Sequence, residues 1–305
     1  MVHLELLAEM DALGDSLKRW AEDAPDWQPA KTCHALVRRL GDRADSMRIR
    51  LEAPLVVATL GGTGTGKSAL VSALVGENVT QAGRSRPTTM RPVLISRPDI
   101  SAEMLGIPPE SVETVHRDLP ALADLVLIDC PDPDTTEDPN GRASNLSRLR
   151  ELLPHCDVLL ITTTQQKYRS SRVSQELASA AGGARLVFVQ THADVDEDIR
   201  KDWREALEDQ YTAGHIFFVD SPSALCDAQE GLEPRGEFAG LADLLTRELA
   251  GTAAARIRRA NFLDLVDETL ALCRGRIDEG LPEVGRLGDA IVEQRTKLGA
   301  KLAGQ

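Results

Sequence analysis

The chain lacks a surplus of basic charge, a disulfide or zinc spacing, a leader-like start, and any apolar run long enough to cross a bilayer. Its 35 Lys and Arg stand against 48 Asp and Glu, a net charge of −13. That balance argues against general nucleic-acid binding, although a local basic patch remains compatible with it. The five cysteines (Cys33, Cys130, Cys156, Cys226 and Cys273) include no C-x-x-C pair. Neither a disulfide framework nor a zinc site is therefore expected, and a reducing compartment fits best. Met1-Val2-His3-Leu4-Glu5 carries an acid where a secretory leader carries bases, and no apolar stretch approaches the roughly 20 residues of a spanning helix. The expectation is a soluble cytoplasmic protein, with peripheral contact at a membrane surface left open.

What is present is a glycine-rich loop. Gly61-Gly62-Thr63-Gly64-Thr65-Gly66-Lys67-Ser68 satisfies G-x-x-x-x-G-K-[ST] directly after the apolar run Leu55–Leu60. Triphosphate oxygens need several N–H donors converging on them. Glycines let the backbone wrap that closely, and the helix that follows adds its N-terminal dipole. The phosphate site is therefore read as Gly61 through Ser68 plus Ala69, with Lys67 reaching the β- and γ-phosphates and the Ser68 hydroxyl placed on Mg²⁺.

With 305 residues, the chain can bury one full α/β core and still have helices left at both ends. Residues 1–50 carry apolar side chains at helical spacing (Leu4, Leu7, Met10, Leu13, Leu17), broken at Ala24-Pro25-Asp26 and resumed through Leu36, Leu40 and Met47. This pattern predicts an amphipathic helical hairpin. Residues 54–235 alternate helical segments with short, near-continuous apolar runs at 93–95, 125–128, 158–161, 186–189 and 216–219, the pattern of a mostly parallel sheet covered by helices on both faces. Residues 236–305 return to helix, as a segment expected to pack with the N-terminal one.

Further site residues are expected at strand ends, where ligands bind in open α/β sheets. Asp129 closes the 125–128 run, as an acid holding Mg²⁺ through water would. Between the P-loop helix and the 93–95 run lies Arg84-Ser85-Arg86-Pro87-Thr88-Thr89-Met90-Arg91-Pro92, where Thr89, with Thr88 in reserve, is the candidate switch threonine for Mg²⁺ and the γ-phosphate. Lys67, Thr89 and Asp129 are thus the candidate catalytic residues, and Ser68, Thr89 and Asp129 the candidate metal residues. Thr191-His192-Ala193-Asp194 follows the 186–189 run. An Asp194 carboxylate accepting the ring N–H and exocyclic amine of guanine selects GTP over ATP.

With these motifs in this order, residues 54–225 resemble the translation-factor-related class of GTPases. Thr191 and Asp194 match the fourth motif, with His192 in place of its lysine and able to stack on the base. Ser221-Pro222-Ser223-Ala224 resembles a fifth motif assisting the base through a backbone N–H, with Ser221 and Ser223 both open. Within the class the chain resembles bacterial dynamin-like and Era-like GTPases, through Thr89-Met90-Arg91-Pro92 and the helices flanking both sides.

The resemblance implies a GTP/GDP- and Mg²⁺-dependent switch or mechanochemical module, acting with a nucleotide-dependent second copy or a protein activator. Two departures stand out. Asp132 replaces the glycine of D-x-x-G, and neither Thr63-Gly64 nor Pro133 supplies a water-positioning side chain. Slow hydrolysis stimulated in trans is the expectation, with Arg84, Arg86 and Arg91 as candidate donors. A regulatory module that binds without hydrolysing, or an ATPase, are the alternatives. Arg256, Arg258 and Arg259 read as a solvated helix face, Asp196, Glu197 and Asp198 as helix capping, Cys130 as packing and His155 as a turn residue.

Overall fold

The computed structural model describes residues 2–79, 91–132, 145–168, 183–207 and 214–303. Two helices open it, α1 (Val2–Glu22) and α2 (Gln28–Ile49), reversing at the expected break. Strand β1 (Leu55–Leu60) leads into α3 (Lys67–Val75). Then come β2 (Val93–Ser96), β3 (Glu113–His116), β4 (Leu125–Asp129), α4 (Asn145–Leu152), β5 (Val158–Thr163) and β6 (Arg185–Gln190). The chain continues through α5 (Arg200–Leu207), β7 (Ile216–Phe218), α6 (Ser221–Gln229), α7 (Gly236–Asp243) and the long α8 (Ala254–Ala303).

The strands form one seven-stranded sheet in the order β3-β2-β4-β1-β5-β6-β7. β1, β4, β5, β6 and β7 are mutually parallel, whereas β2 runs antiparallel to β4 and carries β3 parallel to itself. The mostly parallel α/β fold read from the apolar runs is the fold observed. β3 had no such signal, because Glu-Thr-Val-His is an edge strand with only partial burial at Val115.

β1, β4 and β5 are buried along their whole length, as strands covered on both faces must be. Alternate residues of β1 enter different cores. Val56, Ala58 and Leu60 face Leu149, Leu152 and Trp203, while Leu55 and Val57 face Leu70, Val71, Leu241 and Leu245. A third core lies between the chain's two ends, where Met10, Leu17, Val37, Leu40 and Met47 pack with Phe262, Leu265 and Val266.

The edge of the sheet below β1 and β5 is closed by a buried ionic knot. Asp157 is 1% exposed, and its carboxylate accepts from Arg50 Nη1 at 3.0 Å, Arg258 Nη2 at 2.8 Å and Val56 N at 3.0 Å. The donors left over on Arg258 reach the carbonyls of Leu51, Ala53 and Pro54. Arg258 therefore departs from the solvated face read for Arg256, Arg258 and Arg259. Of the three, Arg256 and Arg259 are exposed, and Arg258 is drawn inward because a buried carboxylate and three carbonyls need its donors.

Candidate nucleotide site

Every motif singled out in the described chain lies at the carboxyl edge of the parallel strands, the opposite edge from the Asp157 knot. The loop after β1 is held in shape by its own glycines. Gly64 and Gly66 have φ of 72° and 73°, a region costly for other residues. At Gly61 a Cβ would lie 2.3 Å from Thr162 Oγ1 and 2.5 Å from its carbonyl oxygen, so β5 excludes any side chain there. Thr65 Oγ1 bridges to Gly62 O at 2.9 Å and Thr162 Oγ1 at 2.8 Å.

Lys67 turns back over this loop and donates to Gly61 O at 2.7 Å and Gly62 O at 3.0 Å. Burial lowers its pKa, and the neighbouring carboxylates of Asp129 and Asp132 oppose that shift. Ser68 Oγ donates to Asp129 Oδ2 at 2.6 Å, so the structure brings the hydroxyl and the strand-end carboxylate together. Asp129 is fully buried. Ala69 follows in the first turn of α3.

Thr191 joins the fourth motif to the P-loop. Its hydroxyl lies 2.9 Å from Thr65 O and 2.8 Å from His192 Nδ1, and its backbone N–H donates to Thr163 O at 2.9 Å. His192 adopts φ 62°, which bends the chain so that a Cβ on Gly66 would sit 3.4 Å from the His192 ring. Asp194 is exposed at the outer end of this turn, and Ala193 N donates to Val219 O at 3.2 Å, tying it to the loop after β7. There Ser221 is 2% exposed and its buried Oγ has no hydrogen-bond partner. Ser223 instead gives its N–H to the Asp220 side chain at 3.0 Å, capping α6, and Pro222 is exposed. Of the two serines Ser221 is thus the buried one and Ser223 the exposed one.

Thr88, Thr89, Arg84, Arg86 and Pro133 lie outside the described residues. Arg91 is exposed and donates to Glu110 O at 3.2 Å.

Two features were not legible. Asp132 accepts a hydrogen bond from Thr63 Oγ1, and Lys167, in the turn after β5, donates to the carbonyl of the same Thr63. The turn itself is gripped by the acids read as capping. Gln165 N donates to Asp196 Oδ2 at 2.8 Å and Gln165 Nε2 to Glu197 Oε2 at 3.3 Å, and only Asp198 caps a helix, through Arg200 N at 3.0 Å. A lysine four residues past a strand has no motif to announce it. Position at the carboxyl edge was the only available clue.

The fold and this edge together define a P-loop GTPase architecture. It is similar to a chain of an oligomerised bacterial dynamin pair described as sensing and tethering membranes, at TM-score 0.50 and 14% identity over 99% of this chain and 51% of that one. An Aquifex aeolicus Era variant bound to GDP·AlF4⁻ matches at TM-score 0.41 and 16% identity over 60% of this chain and 57% of that one. Era in complex with MgGDPNP and a segment of 16S ribosomal RNA matches at TM-score 0.40 and 16% identity over 61% and 59%. The chain spans about half the length of the dynamin-pair structures. No protein-family model and no curated protein matches this sequence.

Proposed function

We propose that this chain binds guanine nucleotide with Mg²⁺ and hydrolyses GTP to GDP and phosphate, acting as a conformational switch or mechanochemical module of dynamin-like type. The observation that carries the reading is the meeting of the P-loop, Asp129 and Thr191-His192-Ala193-Asp194 at one sheet edge, with Thr191 seated on Thr65 O at 2.9 Å. The glycine loop cradles phosphates with backbone N–H groups and Lys67 holds the β- and γ-oxygens. Asp194 and His192 take the base, with Ser221 and Pro222 closing beside it.

Ser68 and Asp129, 2.6 Å apart, are hard oxygen donors of the kind Mg²⁺ prefers, and Thr89 is the third residue assigned to it. Among the described residues no cluster of three metal-ligating His, Cys, Asp or Glu side chains occurs, and Ser68, Asp129 and Thr89 would hold Mg²⁺ beside the nucleotide. Bound Mg²⁺ supplies charge neutralisation on the β- and γ-phosphates.

The organisation that fits this activity is a helical segment at 1–50, a GTPase domain at 54–235 and a helical segment at 236–305. The latter packs with the first, and nucleotide state would reach the helices through that joint. A second copy or an activator protein is the partner class. The proposed location is the cytoplasm, with peripheral contact at a membrane surface compatible with it; among the described residues no helix is long and apolar enough to span a bilayer.

A second reading, a module that holds nucleotide and barely hydrolyses it, is favoured by Asp132 standing where D-x-x-G has glycine. Thermal shift with GTP, GDP and ATP tests the base. Stabilisation by guanine nucleotides alone is expected, and its absence in the folded Lys67→Ala and Ser68→Asn variants ties it to the loop. Equal protection by ATP would overturn the guanine assignment. Specific activity measured against protein concentration separates the two readings, because turnover that rises with concentration belongs to a self-stimulated GTPase and none at any concentration to the binding module.

A further inference from the structure

We propose that Lys167 is a catalytic residue of the phosphate site, a cation supplied from within the chain to the γ-phosphoryl end of the nucleotide. The inference rests on the reading of the chain as a GTP-hydrolysing protein and names a group that reading left unassigned.

The placement follows from the sheet. β5 lies beside β1 with Leu60 paired to Ile161, so the turn after β5 emerges next to the P-loop. Lys167 N donates to Thr164 O at 3.0 Å, closing the turn. Gln165 is held from the other side by Asp196 and Glu197. A turn clamped at its start presents its fourth residue in one direction, and the Lys167 side chain follows that direction onto the Thr63 carbonyl.

Thr63 identifies which end of the nucleotide this is. Lys67 grips Gly61 and Gly62, whereas Thr63 is the P-loop residue that hydrogen-bonds Asp132. Asp132 occupies the D-x-x-G position, whose backbone N–H meets the γ-phosphate in the class this chain resembles. Lys167 and Asp132 thus converge on one loop residue at the γ end.

The charges explain why both belong there. A carboxylate at that position repels a triphosphate unless a cation accompanies it. Lys167, half-buried, brings a cation to the same Thr63 that Asp132 contacts, and it lies close enough to Lys67 that the two ammonium groups repel. Two lysines and two aspartates gathered at one glycine loop are an arrangement that an incoming polyanion completes.

In the reaction, a water oxygen forms a bond to the γ-phosphorus. The bond from that phosphorus to the β–γ bridging oxygen breaks, its electron pair stays on the oxygen of GDP, and both water hydrogens leave on phosphate as dihydrogen phosphate. Lys167 keeps its proton throughout. It leaves the Thr63 carbonyl and donates N–H bonds to the γ-phosphoryl and bridging oxygens, where negative charge grows in the transition state. Arginines supplied in trans are then not needed to neutralise charge in the basal reaction, which leaves a partner the task of positioning water.

The full-length chain with Lys167→Met and with Lys167→Arg tests this at one fixed protein concentration. Lys167→Met is expected to lower single-turnover kcat by about 10²–10³-fold, the loss typical of one oxyanion donor. GDP affinity should stay within about threefold, and the preference for GDP with aluminium fluoride over GDP alone should disappear. Lys167→Arg, which keeps the charge, should recover at least about tenfold of the rate. An unchanged kcat in Lys167→Met overturns the proposal. So does an equal loss of GDP and GDP–aluminium fluoride affinity with a lower Tm, the signature of a clasp that only shapes the loop. A wild-type chain that neither binds nor turns over GTP removes the proposed function itself. A wild-type chain that turns over at the same rate as Lys167→Met removes only the role of Lys167.

Discussion

Asp157 carries one negative charge wholly inside the protein, between two arginines from opposite ends of the chain. Burial alone would push its pKa up, but the guanidinium groups of Arg50 and Arg258 outweigh that and hold it below the ordinary carboxylate range. Removing it strands two buried cations. Asp157→Ala should therefore cost about 3–5 kcal/mol, read as a shift in denaturant midpoint, and a loss under 1 kcal/mol would mean that water reaches the knot.

His155, two residues before Asp157, has its charged form disfavoured rather than favoured. Burial, then the charge of Arg50, lowers its pKa from 6.5 to about 4, and its Nδ1 sits 2.8 Å from Ser46 Oγ. As pH falls from about 6.5 towards about 4, the unfolded chain takes up a proton that the folded one refuses, so stability drops across that window. His155→Asn should flatten the Tm–pH curve there, while the loss from Asp157 begins only as pH falls through its unfolded value of 3.8. A variant with the wild-type slope would rule His155 out. At the other edge of the sheet, under the proposed guanine reading, Asp194→Asn would replace an acceptor with an amide donor facing the guanine N–H groups. Preference should move from GTP towards XTP, and an unchanged GTP:XTP ratio in calorimetric titration would show that Asp194 does not read the base.

Among the elements, α8 has 50 residues and a length of roughly 75 Å at 1.5 Å per residue. Its glycines carry different constraints. At Gly280 a Cβ would lie 2.3 Å from Trp27 Cζ2 and 2.8 Å from Pro29 Cγ, whereas at Gly285 nothing lies within 4 Å. The same substitution should thus have opposite signs. Gly280→Ala pushes α8 off the turn between α1 and α2 and should destabilise by about 1–3 kcal/mol. Gly285→Ala should raise helix stability by about 0.5–1 kcal/mol, and circular dichroism melts of the pair check both. Matching shifts of one sign would mean that Trp27 does not hold the helix. In the sequence both glycines are breaks in a helical pattern, and nothing distinguishes them until Trp27 is placed.

For the whole molecule, the helical ends share the core of Met10, Val37, Met47, Phe262 and Val266, and the Arg50–Asp157–Arg258 knot joins that core to the sheet. Deleting residues 1–50 uncovers the apolar side of α8 and removes one cation from the knot. The truncated chain should aggregate or lose most of its cooperative unfolding transition in light scattering and calorimetry. A soluble, monomeric truncation melting at the wild-type temperature would show that the ends fold independently of the sheet.

Local patterns in the sequence were sufficient for much of this. The apolar runs foretold β1, β2 and β4 to β7, because strands buried on both faces cannot hide their composition. The meeting of the P-loop, Asp129 and Thr191 at one edge was legible because each stands at the end of an apolar run, and a parallel sheet brings those ends together. Tertiary structure alone decided the rest. The antiparallel direction of β2 leaves no trace in an apolar run, and the edge strand β3 has almost nothing to bury. Arg258 looked like a surface residue because its partner Asp157 lies 101 positions away in sequence. Lys167 and Asp132 had no stated relation until β5 and β4 flanked β1 and brought both to Thr63. Spacing along a chain encodes what one element needs, and only packing sets charges from different elements against each other.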